Sequence, residues 1–402
     1  MKAQQLRLII SVITLAFGLN SCSKKEVTTF NKPVLPSSNG ISSDTIPAFA
    51  KGTLLEGKTY YITEDVTVQK GDTLYAQPGA NVIIKNNAQI SIQGVLLLQG
   101  TQAEPISFNS DSKTPGSWGG FQCDSAQAVT IKWTHVDNTG GPDPSGSARK
   151  SLFVDVKDSV DIEDSWFTNG QDDLIRLQSG AMITILRNTI TSSGSTDGEA
   201  INLKSGVTGV VAYNVIYSQA GSGVKLETSS TAPFPQTIVD VNNNTLVSNG
   251  WRRGAAEPGR GVSVGVNAIG RIFNNIIVNN YQGLEIFSDA DLTTSYGNNL
   301  FYASIDNFTD NTVSPPVSIS LRDNFYPSDG LGKPQSSDLI STGVGNLNPL
   351  FVSFDGTVAA PNGTENKNDF HLQVGSPALN AGNPNYNNDI GAYTSDDRGN
   401  RH

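Results

Sequence analysis

The sequence is poor in the residues that crosslink a protein or give it high charge. Its 402 residues include 2 cysteines, 2 methionines and 3 histidines, and 16% of them are Asp, Glu, Lys or Arg. Cys22 closes an N-terminal apolar segment, which leaves Cys123 without a partner for an internal disulfide. We therefore expect Cys123 to be a packed core residue rather than a nucleophile, and the fold to be held together by packing alone.

Basic runs and helical periodicity are also missing. A net charge of −10 without clusters of Lys and Arg argues against nucleic acid as a partner. No stretch beyond the N-terminal segment shows a long 3.6-residue spacing of apolar side chains, so amphipathic helices are not expected. The overall charge would also repel an acidic polysaccharide, which would need a local group of positive charges or a bound cation.

One short phrase is repeated between residues 154 and 287. If Ile175, Ile201, Val224, Val262 and Leu284 are taken as equivalent, the copies are separated by 26, 23, 38 and 22 residues. Short alternating strands with a period of roughly 20 to 30 residues are typical of a stacked solenoid. A second phrase, Asn-x-Ile/Leu or a close variant, lies between the copies and begins at Asn188, Asn214, Asn244, Asn275 and Asn299.

These repeats predict an all-β fold, a single-stranded right-handed parallel β-helix with an N-terminal cap and a loop-rich C-terminal segment. Because side chains alternate along a strand, Asn202 and Lys204 should point outward while Ile201 and Leu203 point inward. The recurring asparagine should occupy a turn and bond to its counterpart one coil away. A leucine-rich repeat is the nearest alternative, but the sequence lacks its leucine pattern and its helical segments.

The N-terminus has the pattern of a secretory signal, with two positive charges, an apolar run over residues 8–19 and the sequence Leu-Asn-Ser-Cys ending at Cys22. It resembles a bacterial lipoprotein signal. That resemblance implies a signal peptide over 1–21, lipidation of Cys22 and a flexible tether over 22–48. Ser23 after the cysteine implies an outer-membrane lipoprotein, and residues 23–26 resemble the tether of surface-exposed lipoproteins of Bacteroides-type bacteria.

The rest of the chain, residues 49–402, is predicted to form one domain, with the first cap at about 46–66 and irregular structure from about 303. Residues 52–109 and 348–393 resemble the opening and closing segments of secreted bacterial, pectate-lyase-like β-helix proteins. That resemblance concerns the fold and does not identify a reaction. We expect a monomer that contacts the membrane only through its lipid anchor.

Stacking the repeats places polar side chains in columns on one outer face. A patch of both charge signs is expected there, from Asp173, Arg176, Glu199, Lys204, Lys225 and Glu227 together with Asn202. The predicted columns are Asp155, Arg176, Asn202, Lys225, Ser263 and Glu285; then Lys157, Gln178, Lys204, Glu227 and Phe287; and, at the strand entrance, Asp173, Glu199, Ser222, Arg260 and Gln282.

Part of this patch resembles polysaccharide lyases of the chondroitinase B and alginate lyase type. The sequence Asp197-Gly-Glu199 followed by Lys204, with Asn169-Gly and Arg176 one coil earlier, has the spacing of that family's motifs. The resemblance implies that Asn169, Asp197 and Glu199 bind Ca²⁺ and that Lys204 removes a proton from a uronate. The family's catalytic arginine should lie one coil further on, where this chain has Lys225.

A second resemblance is to polygalacturonase-type hydrolases, through Gln171-Asp-Asp and the strand that follows it. Paired carboxylates could serve there as acid and base. However, the Thr-Asp-Gly sequence at 196–198 follows this strand instead of preceding it, and the family's Gly-His-Gly and Arg-x-Lys motifs are absent from the sequence. None of the three histidines, His135, His371 and His402, falls in the patch.

The 38-residue step contains an insertion, residues 251–260, that can shape the same face. Trp251 beside Arg252 and Arg253 suits stacking on a sugar and pairing with its carboxylate, with Arg260 adding a further charge. Alternatively, Trp251 packs over the edge of the coil and the arginines are solvated. The sequence thus predicts a polysaccharide-binding protein that could also cleave its ligand; a non-catalytic adhesin or envelope scaffold is the main alternative.

Overall fold

In the computed structural model, the described residues are 39–191, 194, 197–228, 235–359 and 367–402. They form a right-handed parallel β-helix in which each coil contributes one strand to each of three parallel sheets. This confirms the predicted fold class. The predicted signal peptide, Cys22 and residues 23–38 of the tether lie outside the described residues. In the part of the chain that is described, no helix is long and apolar enough to cross a membrane.

The strands are short, mostly three to five residues, and are numbered here in chain order. The first half of the stack contains β1 (Gly52–Leu54), β2 (Thr59–Ile62), β3 (Val66–Val68), β4 (Thr73–Ala76), β5 (Asn81–Ile84), β6 (Ile90–Ile92), β7 (Val95–Gln99), β8 (Ile106–Ser110), β9 (Phe121–Cys123), β10 (Ala128–Lys132), β11 (Thr134–Asp137), β12 (Leu152–Asp155), β13 (Ser159–Glu163), β14 (Trp166–Thr168), β15 (Ile175–Gln178) and β16 (Met182–Leu186).

The second half continues with the same alternation. It contains β17 (Thr189–Thr191), β18 (Ile201–Lys204), β19 (Thr208–Ala212), β20 (Val215–Tyr217), β21 (Val224–Glu227), β22 (Ile238–Asn242), β23 (Thr245–Val247), a 3₁₀ turn (Gly254–Ala256), β24 (Arg260–Val264), β25 (Ile269–Phe273), β26 (Ile276–Val278), β27 (Gln282–Ile286), β28 (Ser295–Gly297), β29 (Leu300–Tyr302), β30 (Asn307–Asp310), β31 (Val317–Ser320), β32 (Leu339–Ile340), β33 (Phe351–Ser353) and β34 (Asp369–Leu372).

Every third strand belongs to the same sheet. Sheet A runs from β1 to β28, sheet B from β2 to β29 with β32 added at its end, and sheet C from β3 to β27. The register in sheet C agrees with the repeat: the residue pairs are Ile175 with Ile201, Ile201 with Val224, Val224 with Val262, and Val262 with Leu284. The steps counted in the sequence are therefore the true lengths of the coils.

The core is a column of inward-pointing aliphatic side chains. In β18, Ile201 and Leu203 are fully buried, and their counterparts one coil away are equally inaccessible. Burying such a side chain stabilises the fold by roughly 1.5–3 kcal/mol, which each coil repeats in all three sheets. Cys123 lies in this core, where burial raises the pKa of its thiol, so the prediction of a packed cysteine is confirmed.

A ladder of buried asparagines lines the turn between sheets A and B. The side-chain oxygen of Asn214 accepts hydrogen bonds from the backbone N–H and side-chain amide of Asn188, each at 2.9 Å. Asn214 makes the same pair of bonds to Asn244, and the pattern continues through Asn275 to Asn299. This confirms the predicted turn asparagines. A shorter second ladder, not predicted, links Gln219, Asn249 and Asn280 between sheets B and C.

The N-terminal cap lies earlier in the chain than predicted. Residues 39–50 run beside the first coil through bridges from Gly40 to Thr53, Thr45 to Tyr61 and Phe49 to Thr67. Ile46 is 2% exposed at this end of the core. Most of the segment predicted as the cap, residues 46–66, instead belongs to the first coil, which contains β1, β2 and the start of β3, because its alternating apolar side chains complete the core there.

The C-terminal segment is irregular, as predicted, but it folds back along the stack. Two antiparallel hairpins, β30 with β31 and β33 with β34, interrupt its loops. Side chains of this segment cover the outer face of sheet B and form a second apolar cluster with it: Val215, Tyr217, Val247, Ile276, Val278, Leu300, Tyr302, Phe351, Phe370, Ala378, Ile390 and Ala392.

The last part of this segment, residues 387–402, crosses several coils in turn, and we call it the C-terminal strap. Gly391 donates to the carbonyl of Asn274 at 2.7 Å. Ala392 donates to the hydroxyl of Thr245 at 3.0 Å, and the side chain of Asn400 donates to the carbonyls of Asn188 and Tyr213, both at 3.2 Å.

Candidate functional site

The outward column of sheet C crosses six coils and carries most of the predicted site. Arg176 pairs with Asn202, Asn202 with Lys225, Lys225 with Ser263, and Ser263 with Glu285. The predicted column is therefore correct from Arg176 onward. Its first member is wrong, since Phe153, not Asp155, pairs with Arg176, while Asp155 pairs with Gln178 in the next column. Lys157, predicted for that next column, lies beyond the end of β12.

The neighbour of Arg176 on the preceding coil is thus an aromatic side chain, Phe153, instead of the predicted carboxylate of Asp155. Phe153 is half-buried on the outward side of β12, so part of its ring faces solvent. The Arg176 guanidinium donates to the side-chain oxygen of Gln178 from two nitrogens, each at 3.4 Å, and lies 3.8 Å from Asp173. We call Phe153, Arg176, Asn202, Lys204 and Lys225 the Arg176 face.

A pair of buried carboxyl groups lies under this face. Asp173 is 2% exposed and Glu199 is 3% exposed, and their side chains hydrogen-bond to each other. Burial, followed by the charge of Glu199, raises the pKa of Asp173 well above its usual value. Burial also opposes ionisation of Glu199, but the hydrogen bond from Asp173 and the charge of Arg253 outweigh it and lower its pKa. Because the two carboxyl groups hydrogen-bond to each other, they share a proton, and the raised pKa of Asp173 favours its residence there.

The raised pKa of Asp173 predicts how the free energy of unfolding depends on pH. Because the folded-state pKa of Asp173 is raised, its stabilising contribution is complete below the unfolded value of about 3.9 and is lost as pH rises through the folded value. Asp173→Asn removes this loss, so above about pH 4 the variant should gain stability relative to the native protein, by up to ~1.4 kcal/mol per pH unit between the two pKa values. Urea unfolding of both proteins from pH 4 to 8 measures the difference.

Glu199→Gln is the matched control for that series. The pKa of Glu199 is lowered, so its contribution is present above its unfolded pKa and is lost as pH falls. Its replacement should therefore cost stability at neutral pH and cost less in acid, the opposite trend. Parallel pH profiles for the native protein and Asp173→Asn would contradict the assignment of the proton to Asp173.

Arg253 reaches over the carboxyl pair from the insertion. Its guanidinium bonds to both oxygens of Glu199, at 3.0 and 3.3 Å, and to Asp197. Glu257 lies 3.4 Å away on the exposed side. Arg253 is thus the counter-ion of the predicted acid-x-acid motif, and the insertion closes one end of the Arg176 face.

The two lysines of the face share one carboxylate. Lys204 pairs with Glu227, and Lys225 lies 3.4 Å from Glu227 and 4.0 Å from Glu199. Burial opposes ionisation of Glu227, but the hydrogen bond from Lys204 and the charges of both lysines together outweigh it and lower its pKa. A cavity of about 230 Å³ opens beside this group, lined by Lys225, Glu227, Ser263 and Phe287 among others.

One polar atom in the floor of the face has no partner. Asn202 is 3% exposed, and its amide nitrogen donates to Asp173 at 2.8 Å. Its amide oxygen is buried and makes no hydrogen bond within the described residues. Leaving a buried acceptor unpaired costs roughly 1–3 kcal/mol, and because this oxygen is closed off from solvent it is not open to a ligand in this arrangement.

The other residues of the insertion do not face the site as predicted. Trp251 is 4% exposed, its indole N–H donates to the carbonyl of Asn279 at 2.7 Å, and its ring packs on Tyr281 and Phe308. The prediction that it stacks on a sugar conflicts with this burial and is wrong. Packing over the coil edge, the alternative, is what the structure shows.

Arg252 and Arg260 point away from the Arg176 face. Arg252 donates to the carbonyl of Gly194 at 3.0 Å and to the hydroxyl of Ser218 at 2.9 Å. Burial lowers the pKa of this guanidinium to about 10. Arg260 pairs with the buried Glu285 on the next coil. Of the three arginines in the insertion, Arg253 alone contacts the predicted patch.

The residues assigned to Ca²⁺ do not fit a calcium site as they are arranged. Asn169 lines a separate cavity on the side of sheet B. Asp197 and Glu199 already share a cation, the guanidinium of Arg253. Among the described residues, no group of three or more His, Cys, Asp or Glu is placed to hold a metal ion.

The geometry also limits the two reactions suggested by resemblance. A proton-abstracting lysine needs a free lone pair, whereas the ammonium of Lys204 donates to Glu227. The hydrolase resemblance rests on Asp172 and Asp173, but Asp172 pairs with Lys150 at 2.7 Å and Asp173 is 2% exposed and hydrogen-bonded to Glu199, so both carboxyl groups are already engaged. The arrangement suits recognition of a charged, hydroxylated ligand better than either reaction.

Three features of the site were missed by sequence reasoning. Phe153 could have been found, because it occupies an outward position of β12 in either plausible register. The proton shared by Asp173 and Glu199 follows from the burial of two carboxyl groups that the sequence placed in one column. The role of Arg253 as their counter-ion had no signal beyond its place in the insertion.

Comparison with known proteins agrees with this fold. A family model described as a right handed beta helix region matches residues 119–300. That span includes the whole Arg176 face and ends at the last complete coil. No curated protein and no solved structure matches the chain. The chain is therefore a right-handed parallel β-helix that resembles this family over its central coils.

Proposed function

We propose that the protein binds an acidic polysaccharide, of uronate type, along the Arg176 face. The supporting observation is the position of Arg176, whose nearest carboxyl, Asp173, lies 3.8 Å away and is hard to ionise because it is buried beside Glu199. The remaining contacts of Arg176 are to the neutral side chain of Gln178, which leaves it able to pair with an anionic ligand. A uronate carboxylate would pair with this guanidinium in the planar geometry that arginine favours.

The neighbours of Arg176 complete the recognition of a sugar. The apolar face of a sugar ring would lie on Phe153, which is half-buried on the outward side of β12. Lys225 and the cavity beside it would accept the next unit along the column. Since consecutive strands are about 4.8 Å apart, an extended chain can contact several coils.

Binding should depend on Arg176. Arg176→Gln should weaken the affinity for the preferred polymer about 10- to 100-fold, because a hydrogen bond to a charged group contributes about 1.5–3 kcal/mol. Biolayer interferometry with immobilised alginate, chondroitin sulfate and polygalacturonate measures this loss. Raising the salt concentration should weaken binding by the native protein more than binding by the variant.

Arg271→Gln is the matched control for that experiment. Arg271 is an exposed arginine on sheet A that pairs with Asp240, so its replacement should leave affinity unchanged. Equal binding by Arg176→Gln and the native protein would refute the proposed contact. If the protein is retained on none of the polymers, the alternative of a non-binding envelope scaffold is favoured.

We further propose that the protein is an outer-membrane lipoprotein displayed on the cell surface and anchored through Cys22. The support is the N-terminal sequence alone. Labelling of the expressed protein with radioactive palmitate, and its loss in Cys22→Ser, tests the anchor. Cleavage of the polysaccharide is a separate question, which the ultraviolet absorbance of an unsaturated product would reveal.

A further inference from the structure

A second cavity, of about 460 Å³, lies between the outer face of sheet B and the C-terminal segment. Its volume falls in the range of about 300–1,000 Å³ that is usual for small-molecule sites. The walls combine aromatic rings with amide, carboxyl and hydroxyl groups. Its lining includes Asp137, Trp166, Thr168, Asn169, Phe370 and His402.

One wall is a stack of flat rings. The imidazole of His135 stacks on Trp166 at 4.1 Å, and that of His402 stacks on it at 3.9 Å. His135 belongs to the coil before Trp166, and His402 bonds to Thr189 in the coil after it, so the imidazoles lie on opposite faces of the indole. They cannot converge on one metal ion, and Trp166 presents its edge to the cavity.

The polar groups of the cavity carry little charge. Burial lowers the pKa of both histidines, that of His402 to about 4, so neither is positively charged at neutral pH. Burial raises the pKa of Asp137, whose carboxyl accepts a hydrogen bond from the hydroxyl of Thr168. Among the described residues that line the cavity, none is Lys or Arg, so an anionic ligand would find no counter-ion there.

We propose that this cavity is a second carbohydrate site, which binds the end of an uncharged oligosaccharide through Asp137 and Asn169, with Trp166 and Phe370 as apolar walls. A carboxyl and a side-chain amide can together accept from and donate to neighbouring hydroxyls of a sugar ring. The edge of Trp166 and the side chain of Phe370 provide apolar contact for the C–H groups of the ring. The site is independent of the Arg176 face, since it uses another sheet and ligands of different charge.

The test is a titration of the full chain with cellohexaose, xylohexaose, mannohexaose and maltohexaose, followed by tryptophan fluorescence and calorimetry. At least one should saturate the signal with a stoichiometry of one. Asp137→Asn and Asn169→Gly should each weaken that binding by about tenfold or more. Glycine suits position 169 because its φ is +56°, a left-handed conformation.

Two controls separate this site from the Arg176 face and from misfolding. Asp111→Asn, at an exposed position, should bind as the native protein does. Arg176→Gln should also retain binding of the neutral hexasaccharide, even if the proposal for the Arg176 face fails. The inference is overturned if none of the four sugars saturates by 10 mM, if both cavity variants bind normally, or if hexagalacturonate competes as well as the neutral ligand does.

Discussion

Asn244→Ala is expected to lower the free energy of unfolding by about 3–5 kcal/mol. Asn244 is fully buried, and its oxygen accepts from the backbone and the side chain of Asn214, at 3.0 and 2.9 Å. Its amide donates to the carbonyl of Val211 and to Asn275, both at 3.0 Å. Alanine satisfies none of these groups, and each buried group left unpaired costs about 1–3 kcal/mol.

Urea unfolding gives the total loss, and hydrogen exchange gives its location. The backbone amide of Asn214 should exchange faster in the variant, because its acceptor is gone. Asn311→Ala is the control: Asn311 is exposed and makes one long bond of 3.4 Å to Thr309, so its loss should stay within about 0.5 kcal/mol. A cost for Asn244→Ala below 1 kcal/mol would show that the ladder contributes little to stability.

The second large effect is expected at Arg253. Arg253→Met should destabilise the fold by about 3–5 kcal/mol, because it leaves Glu199 ionised, buried and without its main counter-ion. The charge of Lys225, at 4.0 Å, compensates only in part. Thermal and urea unfolding at pH 7 measure the loss.

A surface pair provides the comparison. Arg271→Met breaks the exposed pair with Asp240 and should cost at most about 1 kcal/mol. Combining Arg253→Met with Glu199→Gln should recover much of the lost stability, since the unpaired charge is then removed. If Arg253→Met and Arg271→Met cost the same, Arg253 is not the counter-ion on which the buried pair depends.

The register of sheet C was predictable because the repeated phrase marks the same position in each coil. Each copy places an apolar residue inward at a fixed point, so Ile175, Ile201 and Val224 can be counted off and paired. The asparagine ladder was predictable for the same reason, as a single polar residue recurs at one turn. Both inferences need only that coils stack on their immediate neighbours.

The incorrect placement of Asp155 beside Arg176 shows where the repeat leaves the register ambiguous. In Leu152-Phe-Val-Asp-Val156, a shift of two residues keeps the same inward and outward alternation, so pattern alone cannot choose between Phe153 and Asp155. The flanking turns decide the register, and they contain no repeated residue at this point. The structure therefore has the ring of Phe153 where a carboxylate was predicted.

Trp251 and the sheet B cavity were beyond sequence reasoning for another reason. The partners of Trp251 are Tyr281, one coil later, and Phe308, in a hairpin outside the repeat. The cavity needs the C-terminal segment to fold back against β14 and β17, a contact between residues about 200 positions apart. A periodic pattern predicts contacts between adjacent coils, but it cannot predict contacts made by a segment outside the repeat that folds back onto earlier coils.

The C-terminal strap has a mechanical consequence. In an unbraced solenoid each coil contacts only the next, so a pull on the last coil can peel the stack one layer at a time. Here a single segment is fastened to the layers that contain Asn188, Tyr213, Thr245 and Asn274. Separating any one of these four layers requires the C-terminal strap to detach from it. The four layers must therefore open together, and a force applied to one of them is shared among all four.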